Sequence, residues 1–236
     1  MSENNTVLKA MGIHRIFPSG MTELHVLKGV DFELKRGEVV SLLGSSGSGK
    51  STLLHILAGL DTPTDGTVMW GDTNIFALKD RVRSYLRNAN LGFIFQFHHL
   101  FPELTALENV MLPLLIGGSD KSEARKKAEG LLERFGLSDR AEHFPSQLSG
   151  GEAQRVAVAR AIVSEPQILL ADEPSGNLDS ENKKILHGML LDISAQFGTA
   201  ILIATHNIEL AMITQRILYL TDGRLSDRSP SGGIVV

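Results

Sequence analysis

The 236-residue chain contains no cysteine. Disulfide scaffolds, thiolate zinc sites and cysteine nucleophiles are thereby excluded, and a reducing compartment fits. Long hydrophobic runs are also missing. The run 110–116 is interrupted by Pro113, and Ala200-Ile201-Leu202-Ile203-Ala204 is only five residues long. A bilayer span needs about 20 apolar residues, so any membrane role is expected to come through a partner. Met1-Ser2-Glu3-Asn4-Asn5-Thr6 lacks both the basic stretch and the apolar core of a secretory signal. An excess of positive charge is absent too: 23 basic residues stand against 27 acidic ones, a net charge of −4. That balance argues against a nucleic-acid binder held by bulk charge. With 42% hydrophobic and 21% charged residues, wholesale disorder is excluded. The expectation is a soluble cytoplasmic α/β protein of one large domain or two small ones, long enough to bury a core.

Three regions follow one another along the chain. In the first, Val30, Phe32 and Leu34 alternate with Asp31, Glu33 and Lys35, the period of two of a half-buried strand. Lys35-Arg36-Gly37-Glu38 turns the chain, and Val39-Val40-Ser41-Leu42-Leu43 reads as a buried strand. A glycine-rich break follows, then a helix from Ser51 to Ala58 stopped by Gly59. The second region, from about Phe76 to Ser146, begins strand-like at Leu91-Gly92-Phe93-Ile94-Phe95 and then turns helical. Ala124, Ala128, Leu131, Leu132 and Phe135 mark one helix face; Arg125, Lys126, Lys127, Glu129 and Glu133 form a solvated opposite face. The pattern predicts a mostly helical subdomain inserted into an α/β core. In the third region Ile168-Leu169-Leu170-Ala171 and the run 200–204 are continuously apolar, as strands covered on both faces of a parallel sheet must be. Ile217-Leu218-Tyr219-Leu220 runs into Asp222-Gly223, a hairpin-type turn signal. Residues 229–233 read as a loose tail.

Gly44-Ser45-Ser46-Gly47-Ser48-Gly49-Lys50-Ser51 satisfies the phosphate-loop pattern G-x-x-x-x-G-K-[ST]. Its glycines let backbone N–H groups approach phosphate oxygens, and the helix that follows aims its unsatisfied N–H groups at the same anion. Lys50 is suited to the β/γ-phosphates, and Ser51 to Mg²⁺, with Thr52 beside it. Ile168-Leu169-Leu170-Ala171-Asp172-Glu173 sets two carboxylates at the C-terminal end of a buried strand, where α/β sheets gather ligands. Asp172 suits Mg²⁺ coordination and Glu173 suits holding and deprotonating a water.

Between these motifs lies Leu148-Ser149-Gly150-Gly151-Glu152-Ala153-Gln154-Arg155, a second place where backbone donors and a hydroxyl meet a helix start. The whole order of motifs resembles the ATPase subunits of ABC transporters over about residues 6–225. That resemblance implies a P-loop NTPase α/β core with a mostly parallel sheet, an N-terminal antiparallel β subdomain and an inserted helical subdomain. The single domain 1–236 would divide into core and β subdomain at about 6–90 and 165–225, a helical subdomain with the signature at about 97–163, and a tail at 226–236. It further implies ATP and Mg²⁺ as ligands. Ser149, Gly150 and Gly151 would bind nucleotide, Gln96 would contact Mg²⁺ and the membrane partner, and Ser175-Gly176-Asn177-Leu178-Asp179 would be the D-loop. His206 would be the switch histidine on the γ-phosphate, leaving Glu173, His206 and Lys50 as the catalytic set. Two chains head to tail would sandwich two ATP molecules, each between Lys50 of one and Ser149-Gly150-Gly151 of the other. Two positions depart from the pattern. Glu152 stands where many members carry Gln, and the adenine-stacking aromatic, usually Tyr, would be Phe17, for which a core role is equally open.

Within the family, the stretch 95–117, Phe95-Gln96-Phe97-His98-His99-Leu100-Phe101-Pro102 onward, looks like that of the ATP-binding subunits of lipoprotein-releasing systems. The resemblance implies two membrane subunits of the LolC/LolE type, a lipoprotein handled by the complex, and a place on the cytoplasmic face of the bacterial inner membrane. Phe97, Leu100 and Phe101 are read either as a docking surface for a partner helix or as core. The macrolide-exporter ATPase and the cell-division ATPase FtsE share much of this stretch and remain open. So does a non-transport protein gated by ATP, although the single phosphate loop and the lack of sustained heptads weigh against ABC proteins of DNA repair or translation.

Overall fold

The structure, a computed structural model, describes residues 5–20 and 22–227; beyond Asp227 the expected tail lies outside the described residues. Strands β1 (Thr6–Ser19), β2 (Thr22–Lys35), β4 (Asp65–Trp70) and β5 (Thr73–Asn74) form an antiparallel sheet in the order β2-β1-β4-β5. A second sheet has the order β10-β9-β3-β8-β7-β6, from β3 (Val39–Leu43), β6 (Leu91–Ile94), β7 (Ile168–Asp172), β8 (Ala200–Thr205), β9 (Arg216–Thr221) and β10 (Arg224–Ser226). It is parallel except for the β9–β10 hairpin. Asp222 (φ 47°) and Gly223 (φ 75°) make that turn.

Strand periodicity divides the core. Ile168 and Leu170 of β7, with Ala200, Leu202 and Ala204 of β8, join one buried cluster. Leu169, Ala171, Ile201 and Ile203 from the same strands join another. Successive side chains on a strand point to opposite faces, so continuous apolar runs fill both layers at once. The first layer packs helix α1 (Lys50–Leu57) between the two sheets, with Leu53, Leu54, Ile56 and Leu57 fully buried. Trp70 locks the antiparallel sheet to that helix, its indole N–H donating to the Leu57 carbonyl at 3.0 Å.

The second layer holds α3 (Ala106–Ile116), α4 (Lys121–Arg134), α5 (Gly150–Ile162) and α6 (Ser180–Phe197). Their starts are capped by short polar side chains: Thr105 and Glu108 form a reciprocal capping box on α3, Asp120 caps α4 and Asp179 caps α6. The apolar face of α4 is buried through Ala124, Ala128 and Leu132, with Phe135 just past its end. Two further α-helices lie among the described residues. The short α7 (Ile208–Met212) follows β8, and α2 (Asp80–Asn90) buries no residue. The body holds α2 by partial burial of Leu86 against the first core layer and by polar bonds, Arg87 to the Gly59 carbonyl at 3.0 Å and Asn88 to the Pro113 carbonyl at 2.9 Å.

Candidate active site

The glycine loop joins β3 to α1, and steric crowding dictates its composition. Gly49 precedes α1 at φ 104°, where an L side chain is strained, and a Cβ there would lie 3.1 Å from both Val26 and Leu27 of β2. A Cβ on Gly44 would lie 2.5 Å from Ser48 Oγ and 2.6 Å from the Leu220 carbonyl. The loop is wrapped around Lys50, which is only 8% exposed. Its ammonium donates to the Gly44 carbonyl at 2.8 Å and the Ser45 carbonyl at 3.2 Å.

Opposite the lysine stands the end of β7. Asp172 is its last residue, and one of its carboxylate oxygens is buried with no hydrogen-bond partner. Glu173 takes a left-handed backbone, φ 45°, uncommon for a residue with a Cβ. Its N–H is tied to the Ala204 carbonyl at 2.8 Å, so the pairing with β8 over-determines this turn. The left-handed step turns the Glu173 side chain out of the strand's alternation and into the cleft. There its carboxylate accepts from the Thr205 hydroxyl at 3.2 Å and the His206 backbone N–H at 3.3 Å. Nδ1 of His206 lies 2.8 Å from Oε1, and Nζ of Lys50 lies 4.0 Å from the same oxygen. The imidazole is itself 72% exposed, whereas the Glu173 side chain is 13% exposed.

These groups share one cleft of about 580 Å³. Of the residues expected at the nucleotide, Ser46, Gly47, Gly49, Lys50, Ser51, Thr52, Gln96, Asp172, Glu173 and His206 line it. Gly44 and Ser45 belong to the loop through their carbonyl bonds to Lys50. Ser48 is buried within it, its hydroxyl lacking a partner. The donor set fits a triphosphate: a glycine loop and helix start supply N–H groups, and one buried cation lies at the centre. It also fits a magnesium ion, which typically takes one or two carboxylates plus substrate phosphate oxygens. Asp172 brings a buried, unpartnered oxygen and Ser51 an exposed hydroxyl. Among the described residues no three His, Asp or Glu side chains gather as a metal cluster.

The signature residues lie elsewhere. Ser149 caps α5 and Gly150 and Gly151 are its first two residues, and none of the three is among those lining the cleft. A Cβ on Gly151 would lie 2.2 Å from Asn182 Oδ1 of α6, so this glycine permits close contact of two helix starts. Asn182 in turn donates to Asp179 at 2.8 Å, which joins the signature to the D-loop within one chain. The D-loop also meets Gln96, whose carbonyl accepts from Asn177 at 3.4 Å.

Phe17 lies on β1, paired with Leu24, and does not line the cleft; the Arg15 guanidinium stacks over its ring at 4.2 Å. Phe97 and Phe101 are exposed, at 59% and 49%, while Leu100 is half-buried against the helical layer. Phe101 borders a second groove of about 540 Å³ with Phe95, His99, Ile116, Arg87 and Arg160. Arg160 donates to the carbonyls of His98 and His99, and the fully buried Asn109 bonds Phe101 and Leu104, so this aromatic segment is pinned from below.

Sequence reasoning missed Val26, which reaches the cleft from β2, and Thr205, which holds Glu173. It also missed Asn182, and Arg140, whose guanidinium bonds Glu152 beside the signature. Thr205 adjoins the histidine and was within reach of the motif; the others lie in segments with no pattern of their own.

The chain matches the ABC transporter family over residues 27–176. It is 46% identical over 229 residues to the lipoprotein-releasing system ATP-binding protein LolD of Shewanella frigidimarina, covering 96% of each. It is 51% identical over 219 residues to the LolD protein of Porphyromonas gingivalis, covering 93% of this chain and 98% of that one. Among solved structures it resembles the dimeric bacterial ABC transporter cassette MJ0796, with a TM-score of 0.87, 39% identity, and 93% and 96% of the two chains covered. The post-hydrolysis dimer of that cassette with ADP and Pi matches equally well.

Proposed function

Because this chain belongs to the ABC transporter family, we propose that it is the ATP-hydrolysing subunit of a lipoprotein-releasing transporter. In this reading it works at the cytoplasmic face of the bacterial inner membrane with two LolC/LolE-type membrane subunits. Near-full-length identity to LolD proteins supports the biological assignment. The observation that carries the chemistry is the Lys50–Glu173–His206 contact at the mouth of a phosphate loop. None of the helices is long and apolar enough to cross a membrane, among the described residues. In this reading membrane attachment runs through partners, and the pinned aromatic groove bordered by Phe101 and Ile116 is suited to a helix of a membrane subunit.

Lys50 releases the loop carbonyls to bind β- and γ-phosphate oxygens, with the N–H groups of the loop beside it. Ser51, Asp172 and Gln96 would hold a magnesium ion, which would supply charge neutralisation to the phosphates. Glu173 orients and deprotonates the attacking water, since its carboxylate is already held by Thr205 and the His206 backbone. His206 steadies that carboxylate and reaches the γ-phosphate. Ser149, Gly150 and Gly151 lie outside the cleft, and in this reading they meet ATP held by a second copy. Two chains then close head to tail over two ATP molecules and part when hydrolysis removes the bridge. Phe17 is the proposed adenine contact. In this reading the core with its β subdomain spans about 6–90 and 165–225, and the helical subdomain about 97–163.

The test is purification from a bacterial membrane of the tagged chain, with ATP hydrolysis measured in the complex. Two copurifying membrane subunits and lipoprotein released on ATP addition support the reading. A complex that hydrolyses ATP yet releases only small amphiphiles, or associates with a cell-division permease, overturns lipoprotein release.

A further inference from the structure

Glu152 is the residue that departs from the family's signature pattern, and it sits in the first turn of α5. Its carboxylate folds back to accept from the Ser149 N–H at 2.8 Å, while the Ser149 hydroxyl accepts from the Glu152 N–H at 3.3 Å. The box satisfies two orphan donors of the helix but brings a negative charge to a helix start whose other groups favour an anion. A phosphate reaching Ser149 would meet that charge at close range. Its second oxygen is taken by Arg140, Nε to Oε1 at 2.8 Å. The Ser149 N–H, the guanidinium and the Ser149 hydroxyl together hold the carboxyl down to about 2, so it stays ionised throughout the physiological range.

We propose that Arg140 is a positioning residue for nucleotide binding: its guanidinium neutralises Glu152 and holds the capping box, keeping the Ser149 helix start attractive to phosphate. The proposal rests on the reading that this face closes on ATP held by a second copy. Glutamate at this position binds the cap more firmly than an amide would, because its carboxylate accepts charge-assisted bonds, and the arginine offsets the repulsion that comes with it. Arg140→Met would keep much of the packing volume and remove the charge. Each chain of the closed dimer presents one such helix start, so a penalty of about threefold per site becomes about tenfold for the dimer.

The test is ATP-dependent dimerisation by analytical ultracentrifugation of four chains, all carrying Glu173→Gln to slow turnover: parent, Arg140→Met, Glu152→Gln and the double variant. Circular dichroism and thermal melts check that each is folded. The expected result is about tenfold weaker dimerisation for Arg140→Met at low salt, a smaller deficit at high salt, and recovery in the double variant, where no carboxylate is left to neutralise. Glu152→Gln alone should dimerise at least as tightly as the parent. Equal impairment of the single Arg140 variant and the double variant, or a deficit independent of salt, overturns charge compensation and leaves Arg140 a packing residue. No deficit for Arg140→Met also overturns it. A parent that stays monomeric with ATP instead removes the underlying reading of the signature face.

Discussion

The Glu173 carboxylate lies 2.8 Å from Nδ1 of His206, and the same oxygen is 4.0 Å from the Lys50 ammonium. A left-handed residue at the end of β7, the end of β8 and the start of α1 are thereby joined at one atom. The arrangement fixes the carboxylate in place: hydroxyl, backbone N–H and imidazole all hold Glu173.

Glu173→Gln keeps the shape of that site but removes the proposed proton acceptor. Phosphate release should fall by about a hundred- to ten-thousand-fold, with ATP affinity retained. Size-exclusion chromatography should show a dimer with ATP and a monomer without it. A variant that hydrolyses like the parent takes the base role away from Glu173.

Lys50→Ala removes the one cation at the centre of the loop together with its bonds to the Gly44 and Ser45 carbonyls. Each charge-assisted contact contributes about 1.5–3 kcal/mol. Titration calorimetry should therefore find ATP affinity lower by at least about tenfold, and unchanged affinity contradicts the phosphate-loop assignment.

Gly151→Ala forces a Cβ to within 2.2 Å of Asn182 Oδ1 unless α5 or Asn182 moves. Overpacking of this kind costs about 1–3 kcal/mol, and chemical denaturation should register it. Adding Asn182→Ala opens the space, so the double variant should recover part of the stability lost by the glycine change. A double variant no better than Gly151→Ala would mean that the contact is not the source.

Acid sensitivity should carry a mark of Glu152. Its carboxyl titrates at about 2 in the folded chain against an ordinary 4.5. The stabilisation is therefore complete above about 4.5 and drains away as pH falls toward about 2, because the unfolded chain takes up the proton first. The stability gap between parent and Glu152→Gln, measured by urea unfolding, should shrink between pH 5 and pH 2. A constant gap over that range places the stabilisation outside the ionised carboxylate.

Legibility followed burial pattern. The apolar runs at β3, β7 and β8 were readable because both faces of those strands are covered. The loop and the Asp172-Glu173 pair were readable because the phosphate-loop pattern fixes residue types at set spacings and two adjacent carboxylates end an apolar run. α2 was not singled out, since its apolar residues Val82 and Tyr85 stay exposed and only Leu86 packs partly against the core. The antiparallel sheet was legible only around Val30 to Lys35, although β1 and β2 are each 14 residues long. Register shifts between Ala10 and Ile13 and between Arg15 and Ile16 break the alternation of β1.

Local chemistry written in the order of residues thus specified a nucleotide loop, an acidic strand end and a signature helix start, because each needs only neighbours in the chain. Their mutual distances had to wait for folding. Parallel pairing of β7 with β8 brings Glu173 to His206 across 33 positions, and the contact of α5 with α6 sets Gly151 against Asn182. The placing of the signature outside the cleft belongs with them. Contacts of this kind are fixed by how layers pack, and packing is a property of the assembled core rather than of any segment.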